Sequence, residues 1–203
     1  MTKGSALRKS YSLIAPIYDA VIEKAMRKAR EQSLLALPRS EPCDVLISGI
    51  GTGLDLAFLP DLHRYTALDF NAAMLSRARM RSTDLRIDWV LGDSMSLPFA
   101  NERFDHIVLH LITAVVPHPR LCLSEAARVL KPGGSIVLFD KFLRKGQFAP
   151  LRRMLTPLSS RIATRMDVVF EEILQPELKI VNDRPMLAGG WFRSILLRKM
   201  TQA

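Results

Sequence analysis

Apolar and polar residues alternate along the chain with two different periods, and the switches between them outline the elements. From Pro16 to Leu37 the period is helical. Ile17, Val21, Ala25 and Ala29 recur every fourth residue beside Ile14, Tyr18, Ile22 and Met26, while Glu23, Lys24, Arg27, Lys28 and Arg30 fall elsewhere on the wheel. Pro16 suits a first helical position and Pro38 ends the run. Short apolar runs then alternate with helical ones. Asp44–Ser48, Arg64–Leu68, Leu85–Leu91, Phe104–Leu109 and Ser135–Phe139 read as strands, and Leu54–Leu59, Ala72–Arg81 and Pro119–Leu130 as helices. Asn71 is placed to cap the helix that follows it, and Lys131-Pro-Gly-Gly134 predicts a turn. This alternation predicts right-handed crossovers and a mostly parallel, doubly wound α/β sheet covered on both faces. Beyond residue 145 the pattern loosens to a helical stretch and two weaker strands, Leu178–Val181 and Trp191–Arg198. No repeat or linker interrupts it, so residues 1–203 read as one domain. Its parts are an N-terminal helical segment (1–40), a central core (41–142) and a final section (143–203).

Composition and charge narrow the function classes. The 203 residues are 48% hydrophobic and 24% charged, which suits a packed core and not a disordered chain. The longest stretch free of Asp, Glu, Lys and Arg, His106–Pro119, is too short for a membrane span of about 20 apolar residues. The opening MTKGSALRKSY has no apolar signal region. Cys43 and Cys122 are isolated, which fits a reducing, cytoplasmic setting, and four scattered histidines give no metal-ligand spacing. The net charge of +9 is uneven: +5 over residues 1–40, −3 over 41–140 and +7 over 141–203. Two basic ends flank a slightly acidic centre, which suits a nucleic acid, an anionic membrane face or an acidic ligand.

Ligands of a parallel sheet bind outside the carboxyl ends of its strands. Three features fall there. Gly49, Gly51 and Gly53 make the turn after the first strand, where missing Cβ atoms let a ligand lie against the backbone. Asp69 ends the second strand 20 residues after Gly49, at the spacing of a carboxylate that accepts from ribose hydroxyls. Asp93 follows the third strand, where it can accept from an exocyclic amine. In this order they favour an adenosine-containing cofactor. The sixth position of a dinucleotide fingerprint is Leu54, and no Lys-Ser/Thr follows as in a phosphate loop, so a cofactor without phosphates is expected.

The motifs Asp44-Val-Leu-Ile-Ser-Gly-Ile-Gly-Thr-Gly53, Leu68-Asp-Phe-Asn-Ala-Ala-Met-Leu75, Gly92-Asp-Ser94, Leu97-Pro-Phe99, Phe104-Asp105 and Arg128-Val-Leu-Lys-Pro-Gly-Gly134 together resemble class I S-adenosylmethionine-dependent methyltransferases. The resemblance spans about residues 10–142. It implies a Rossmann-like, seven-stranded sheet with its last strand antiparallel, an N-terminal helical lid, and S-adenosyl-L-methionine as cofactor. The contacts it implies are Gly49, Gly51, Thr52 and Gly53 at the methionine part, Asp69 at the ribose with Phe70 and Met74 nearby, and Asp93, Ser94 and Met95 at the adenine. His110 and Leu111 would border the sulfonium. One position departs: the family usually carries Glu or Asp two residues before the first glycine, and here Ile47 stands there. That departure keeps open a non-catalytic module that binds the same cofactor.

Within the superfamily, Ser10-Tyr11-Ser-Leu-Ile-Ala-Pro-Ile-Tyr18-Asp19 resembles the opening of the ubiquinone/menaquinone C-methyltransferases. It also resembles the small bacterial phosphatidylethanolamine N-methyltransferases. The short chain, Leu109-His-Leu-Ile-Thr-Ala-Val-Val-Pro-His118, and the basic stretch after Phe139-Asp-Lys-Phe142 lean toward the phospholipid enzymes. From Phe148, Leu151, Met154, Leu155, Leu158 and Ile162 form one apolar stripe with Arg152, Arg153, Arg161 and Arg165 off it. That pattern suits either a membrane-surface helix or a helix packed on the sheet. The resemblance therefore implies a lipid or lipophilic acceptor, with docking on the inner face of an anionic membrane. A quinone precursor is the alternative, and nucleic acid is not expected, since no RNA module is present. An amine acceptor must lose a proton before attack; Tyr18, Tyr11, His110 and Asp140 are the candidates to orient or deprotonate it, and Lys141, Arg144, Arg152 and Arg153 to meet a head-group phosphate.

Overall fold

A computed structural model of the chain describes residues 26–82, 84–146, 167–187 and 190–201. Seven strands form one sheet: β1 (Asp44–Ser48), β2 (Arg64–Asp69), β3 (Arg86–Leu91), β4 (Phe104–His110), β5 (Leu130–Lys141), β6 (Leu178–Pro185) and β7 (Phe192–Lys199). Their order is β3-β2-β1-β4-β5-β7-β6. Pairings from β3 through β5 are parallel, and β7 runs antiparallel to both its neighbours. The expected seven-stranded sheet with its last strand reversed is present. The chain moves outward from β1 to β3 and returns to β4, so the crevice between the ends of β1 and β4 is the topological switch point where such sheets bind ligands.

The two-residue period of the strands builds a core on each face. Val45, Ile47, Ala67, Val108 and Val137 pack with Leu34, Leu56, Leu75 and Ala78 on one side. Leu46, Leu68, Ile107, Leu109, Ile136 and Leu138 pack with Leu123, Ala126 and Ala127 on the other. Strands covered on both faces read as continuous apolar runs, which is why they were visible in the sequence. Ile47 belongs to the first core and is 1% exposed. A carboxylate there would have to share that apolar layer.

The helices are α1 (26–34), α2 (Ala72–Arg81), α3 (Pro119–Val129) and the single turn α4 (Phe170–Ile173). The side chain of Asn71 accepts from the Ala73 N–H and caps α2 as its sequence predicts. Pro119 opens α3, where its missing N–H costs no hydrogen bond. Met26 and Ala29 of α1 lie on Phe139, which places this helix across the carboxyl end of the sheet. Residues 1–25, with most of the expected lid, and residues 147–166, with most of the basic stretch beginning at Phe148, lie outside the described residues. Among the described residues no helix is long and apolar enough to cross a membrane.

Two elements differ from the sequence reading. The helix expected over Leu54–Leu59 is a 3-10 turn, Leu56–Phe58, because the left-handed Gly53 and Pro60 leave room for little more, and Leu59 before the proline is already extended. Strand β5 starts at Leu130, which pairs with Phe104 ahead of an irregularity in the β4–β5 register. The expected turn at Lys131–Gly134 is thus an excursion within a longer strand.

Candidate active site

The glycine turn is fixed by its own backbone. The N–H groups of Gly49 and Ile50 both donate to the Leu68 carbonyl, at 2.8 and 3.0 Å. Gly49 and Gly53 have φ of +79° and +84°, and a Cβ on either would come within 2.8 Å of a neighbouring side chain, Ile112 or Leu56. Gly51, at φ +58°, is different: a Cβ there would meet nothing within 4 Å. Its bare backbone borders the cleft at the switch point, and that open cradle is the fit expected for a ligand lying against the loop.

Asp69 ties this loop to β2. Its Oδ2 accepts from the Gly51 N–H at 2.8 Å and its Oδ1 from the Asn71 N–H at 2.9 Å. Burial raises its carboxyl above the usual range, against the pull of the Asn71, Gly51 and Phe70 amides. With three amides on its two oxygens, the carboxylate retains acceptor capacity for a donor in the cleft. The open cleft is lined by Asp69, Phe70 and Met74, by Gly49, Gly51 and Thr52, and by His110, Asp55 and Arg30.

A second cleft of about 1040 Å³ adjoins the first through Phe70, Ile112 and Val115. Its walls are largely apolar, with Leu91, Val116 and Pro117, while Asp93, Ser94 and Met95 form its polar rim. Asp93 Oδ1 accepts from the Met95 N–H at 2.8 Å, and Ser48 donates to the buried Ser94 hydroxyl at 2.8 Å. Arg128 braces the chain beyond this rim. It donates to the carbonyls of Leu97 and Phe99 and to Glu125, whose carboxylate accepts from the Leu97 N–H. A flat apolar slot with a carboxylate at its edge suits an aromatic base that carries an exocyclic amine.

His110 and Asp140 are not poised as the sequence suggested. Both ring nitrogens of His110 are engaged within the protein: Nδ1 lies 2.9 Å from Asp55 Oδ1 and Nε2 lies 3.1 Å from the Ser33 hydroxyl. An ionised Asp55 only accepts, so Nδ1 donates to it, and Nε2 shares a hydrogen bond with the Ser33 hydroxyl. Ser33 in turn accepts from Ser194 of β7 at 3.0 Å. The ring therefore braces α1 against the end of β4 and keeps neither nitrogen for an acceptor. Asp140 is wholly buried and lines neither cleft. It accepts from the Ala114 and Lys141 amides and so pins the segment after β4 that walls both clefts. Arg144 is also committed, in an ion pair with Asp183 at 2.9 Å, and the Lys141 ammonium lies 5.9 Å from the centre of the Phe192 ring. Tyr11, Tyr18, Arg152 and Arg153 lie outside the described residues.

The first cleft is also lined by Leu111, which the resemblance had placed beside the sulfonium, and by two residues that pattern reading passed over, Asp55 and Arg30. Leu111 follows β4 with φ +57°, a left-handed conformation costing a non-glycine residue about 1–2 kcal/mol, and its N–H is held by the Phe139 carbonyl. Asp55 stood next to the glycine turn in a segment read only as helix. Arg30 was placed on the polar side of an amphipathic helix, yet it is 5% exposed and pairs with Asp55 at 2.8 Å. Helical periodicity cannot reveal such a residue, because its partner comes from a distant segment. Among the described residues no group of three His, Cys, Asp or Glu side chains could hold a metal. Burial pushes the Cys122 thiol up to about 12, which makes it inert packing.

Burial alone would raise the Asp55 carboxyl, but Arg30 and His110 outweigh it and hold the group far below the usual carboxylate range. A carboxyl depressed in the folded state adds stability that is complete above its unfolded pKa, about 4, and is lost as pH falls toward the folded value. Urea unfolding is therefore expected to show stability falling between about pH 5 and about pH 3. Asp55→Asn should flatten that limb while lowering stability at neutral pH. An unchanged acid slope would exclude Asp55 from the acid response.

Comparison with known proteins follows the same outline. Residues 46–138 match the family described as Methyltransferase domain. The chain is 32% identical over 193 residues to a phosphatidylethanolamine N-methyltransferase of Cereibacter sphaeroides, covering 92% of this chain and 94% of that protein. It is also 32% identical to the ubiquinone/menaquinone biosynthesis C-methyltransferase UbiE of Desulfotalea psychrophila, over 69% of this chain and 60% of that one. Among solved structures, a chain of the complex between the Haloferax volcanii Trm112 methyltransferase activator and a methyltransferase superposes with a TM-score of 0.75. The identity is 18%, covering 94% of this chain and 98% of that chain, and this likeness speaks to the fold.

Proposed function

Because the chain belongs to the class I S-adenosylmethionine-dependent methyltransferases, an enzyme family, we propose that its acceptor is the primary amine of phosphatidylethanolamine, methylated at a membrane surface. The observation that carries this reading is the extent of likeness. The match to the Cereibacter enzyme runs through nearly the whole chain, including both basic ends, whereas the match to the quinone C-methyltransferase covers about two thirds.

The clefts support a division of labour for the cofactor. Asp69, beside the bare backbone of Gly51, would accept from the ribose hydroxyls, with Phe70 and Met74 as walls. Asp93, Ser94 and Met95 would frame the adenine in the apolar slot, and Gly49, Thr52 and Gly53 would border the amino-acid arm. Bound S-adenosylmethionine supplies an electrophilic methyl group on a sulfonium. The protein's own task is alignment and exclusion of water, which is where most of the acceleration of an in-line displacement arises. The left-handed turn at Leu111 presses its side chain to the cleft beside the buried His110. With His110 and Asp140 committed to the framework, we assign orientation of the neutral amine to Tyr18 and Tyr11. Aromatic faces also favour the methylated cation that accumulates. Lys141, Arg152 and Arg153 would meet the head-group phosphate. The excess charge at the two ends, +5 and +7, would draw the enzyme to anionic lipid.

The test is transfer of labelled methyl from S-adenosylmethionine to lipid vesicles. Phosphatidylethanolamine vesicles doped with anionic lipid should accept label, and the rate should fall as salt screens the docking charge. Label appearing only in a demethylated quinone precursor would replace the phospholipid reading. Label in RNA and not in lipid would overturn the account of the basic ends.

A further inference from the structure

A third cleft opens between α1 and the end of α2. It is lined by Arg27 and Arg30 of α1, by Arg81 of α2, and by Leu54, Leu56 and Phe58 from the segment between them. Only Arg30 and Leu54 also line the first cleft. Its origin is local. Gly53 and Pro60 hold that segment to the single 3-10 turn Leu56–Phe58, so no longer helix fills the space between α1 and α2.

Three guanidinium groups thus line one cleft, and among the described residues no acidic side chain lines it with them. Like charges gathered around an apolar floor repel one another, and an anion seated between them removes that cost. Arg27 lies over the Phe58 ring, 5.4 Å from its centre, and makes no ion pair among the described residues. The ring attracts the cation through its quadrupole but offers no oxygen to its N–H groups. Arg30 is the buried member, with its side chain 7% exposed. Its Nη1 donates to Asp55 at 2.8 Å, whereas Nε is buried and makes no hydrogen bond among the described residues. A buried guanidinium N–H without an acceptor is costly, so this arginine still lacks part of its complement of acceptors. Three guanidinium forks call for more oxygens than one carboxylate carries. A phosphate esterified once presents three around a single centre, with a charge approaching two. Leu54, Leu56 and Phe58 suit the organic part of such an ester.

We propose that this cleft is a binding site for a phosphomonoester, with Arg27 and Arg81 as its outer donors and Arg30 as its inner one. The inference is independent of the identity of the methyl acceptor. The same chemical group occurs on soluble sugar and glycerol phosphates and on phosphatidic acid in a bilayer.

The experiment separates those sources. The full chain is titrated with glycerol 3-phosphate by calorimetry, and is floated with phosphatidylcholine vesicles that contain or lack phosphatidic acid. The parent should bind at least one of the two probes. Arg27→Gln and Arg81→Gln should each weaken that binding roughly tenfold or more, the scale of charge-assisted hydrogen bonds. Both side chains are exposed, so the variants should melt with the parent. Arg184→Gln removes the same charge from an exposed position of β6 outside this cleft, and should change binding less than about twofold. Binding of glycerol 3-phosphate that the two cleft variants lose assigns the site to a soluble ester. Flotation that needs phosphatidic acid and fails in the same variants assigns it to a lipid. If the parent binds neither probe, or Arg184→Gln loses as much as the cleft variants, the site is overturned, since diffuse surface charge predicts equal losses.

Discussion

Asp69→Ala is expected to weaken S-adenosylhomocysteine binding and to lower kcat/KM by a factor of about 10² to 10⁴. The estimate follows from what one carboxylate is asked to do. On the protein side it holds the Gly51 and Asn71 amides, and on the ligand side it would hold two ribose hydroxyls. Hydrogen bonds to a charged group contribute about 1.5–3 kcal/mol each, so losing two contacts with the ligand alone costs about 3–6 kcal/mol. Alanine also releases the Gly51 amide, so the glycine loop keeps only the Gly49 and Ile50 bonds to the Leu68 carbonyl as its ties to β2. Asp69→Asn separates the two losses. It keeps a carbonyl oxygen for one amide but forfeits the charge, so its defect should be smaller than that of alanine. Calorimetry for binding and the labelled-methyl assay for turnover provide the check; a variant within threefold of the parent in both would remove Asp69 from the site.

Arg193→Met should destabilise the fold by about 3–5 kcal/mol, which for a chain of this length lowers Tm by about 6–20 °C. Arg193 is 1% exposed, on β7, and its guanidinium is the hub of a charged cluster. It donates to Asp183 through Nε and Nη2, to Glu171 through Nη2 and to the Leu143 carbonyl through Nη1, and it lies over the Phe170 ring. Burial works against its charge, and Asp183 and Glu171 more than offset that. Methionine fills similar volume, so the cost comes from removing the shared partner of two carboxylates and one carbonyl and not from a void. Asp183 keeps Arg144, Glu171 the Lys145 amide and Leu143 the Phe170 amide. Adding Asp183→Asn to Arg193→Met should therefore recover part of the lost Tm, since one under-compensated charge is gone. No recovery in the double variant would mean that packing on Phe170 carries the effect.

What could be read from the chain and what could not divide along physical lines. Strands β1 and β4 were legible because Val45–Ile47 and Ile107–Leu109 are buried on both faces and so write short apolar runs. The Asn71 cap and the glycine turn were legible because one residue type meets one local backbone need. The roles of Arg30, Ser33, Asp55 and Ser194 were not legible. Each is polar in a segment whose periodicity explains it otherwise, and their contacts join residues 25 to 161 positions apart. The same blindness explains the roles suggested for His110 and Asp140. Their placement at strand ends was readable, but hydrogen bonds to Ser33, Asp55 and Ala114 turned them inward. The length of β5 was missed because Pro132 and two glycines suggest a turn, while pairing of Leu130 with Phe104 extends the strand across them.

The sheet order carries a cost during synthesis. β7 is last in the chain yet lies between β5 and β6, and β5 pairs on that side with no other strand. Until the ribosome has released β7, the Ser135–Asp140 stretch of β5, buried throughout in the finished sheet, has an open hydrogen-bonding edge. Apolar edges of this kind recruit other chains, so a nascent chain stalled before Phe192 should aggregate more readily than the finished one. The Ser33–Ser194 contact adds a second delay: α1 emerges early and meets β4 and β5 through His110 and Phe139, but its tie to β7 waits for the final strand. The last brace on a helix that lines the cleft thus forms late, although most residues of the cleft are among the first to be made.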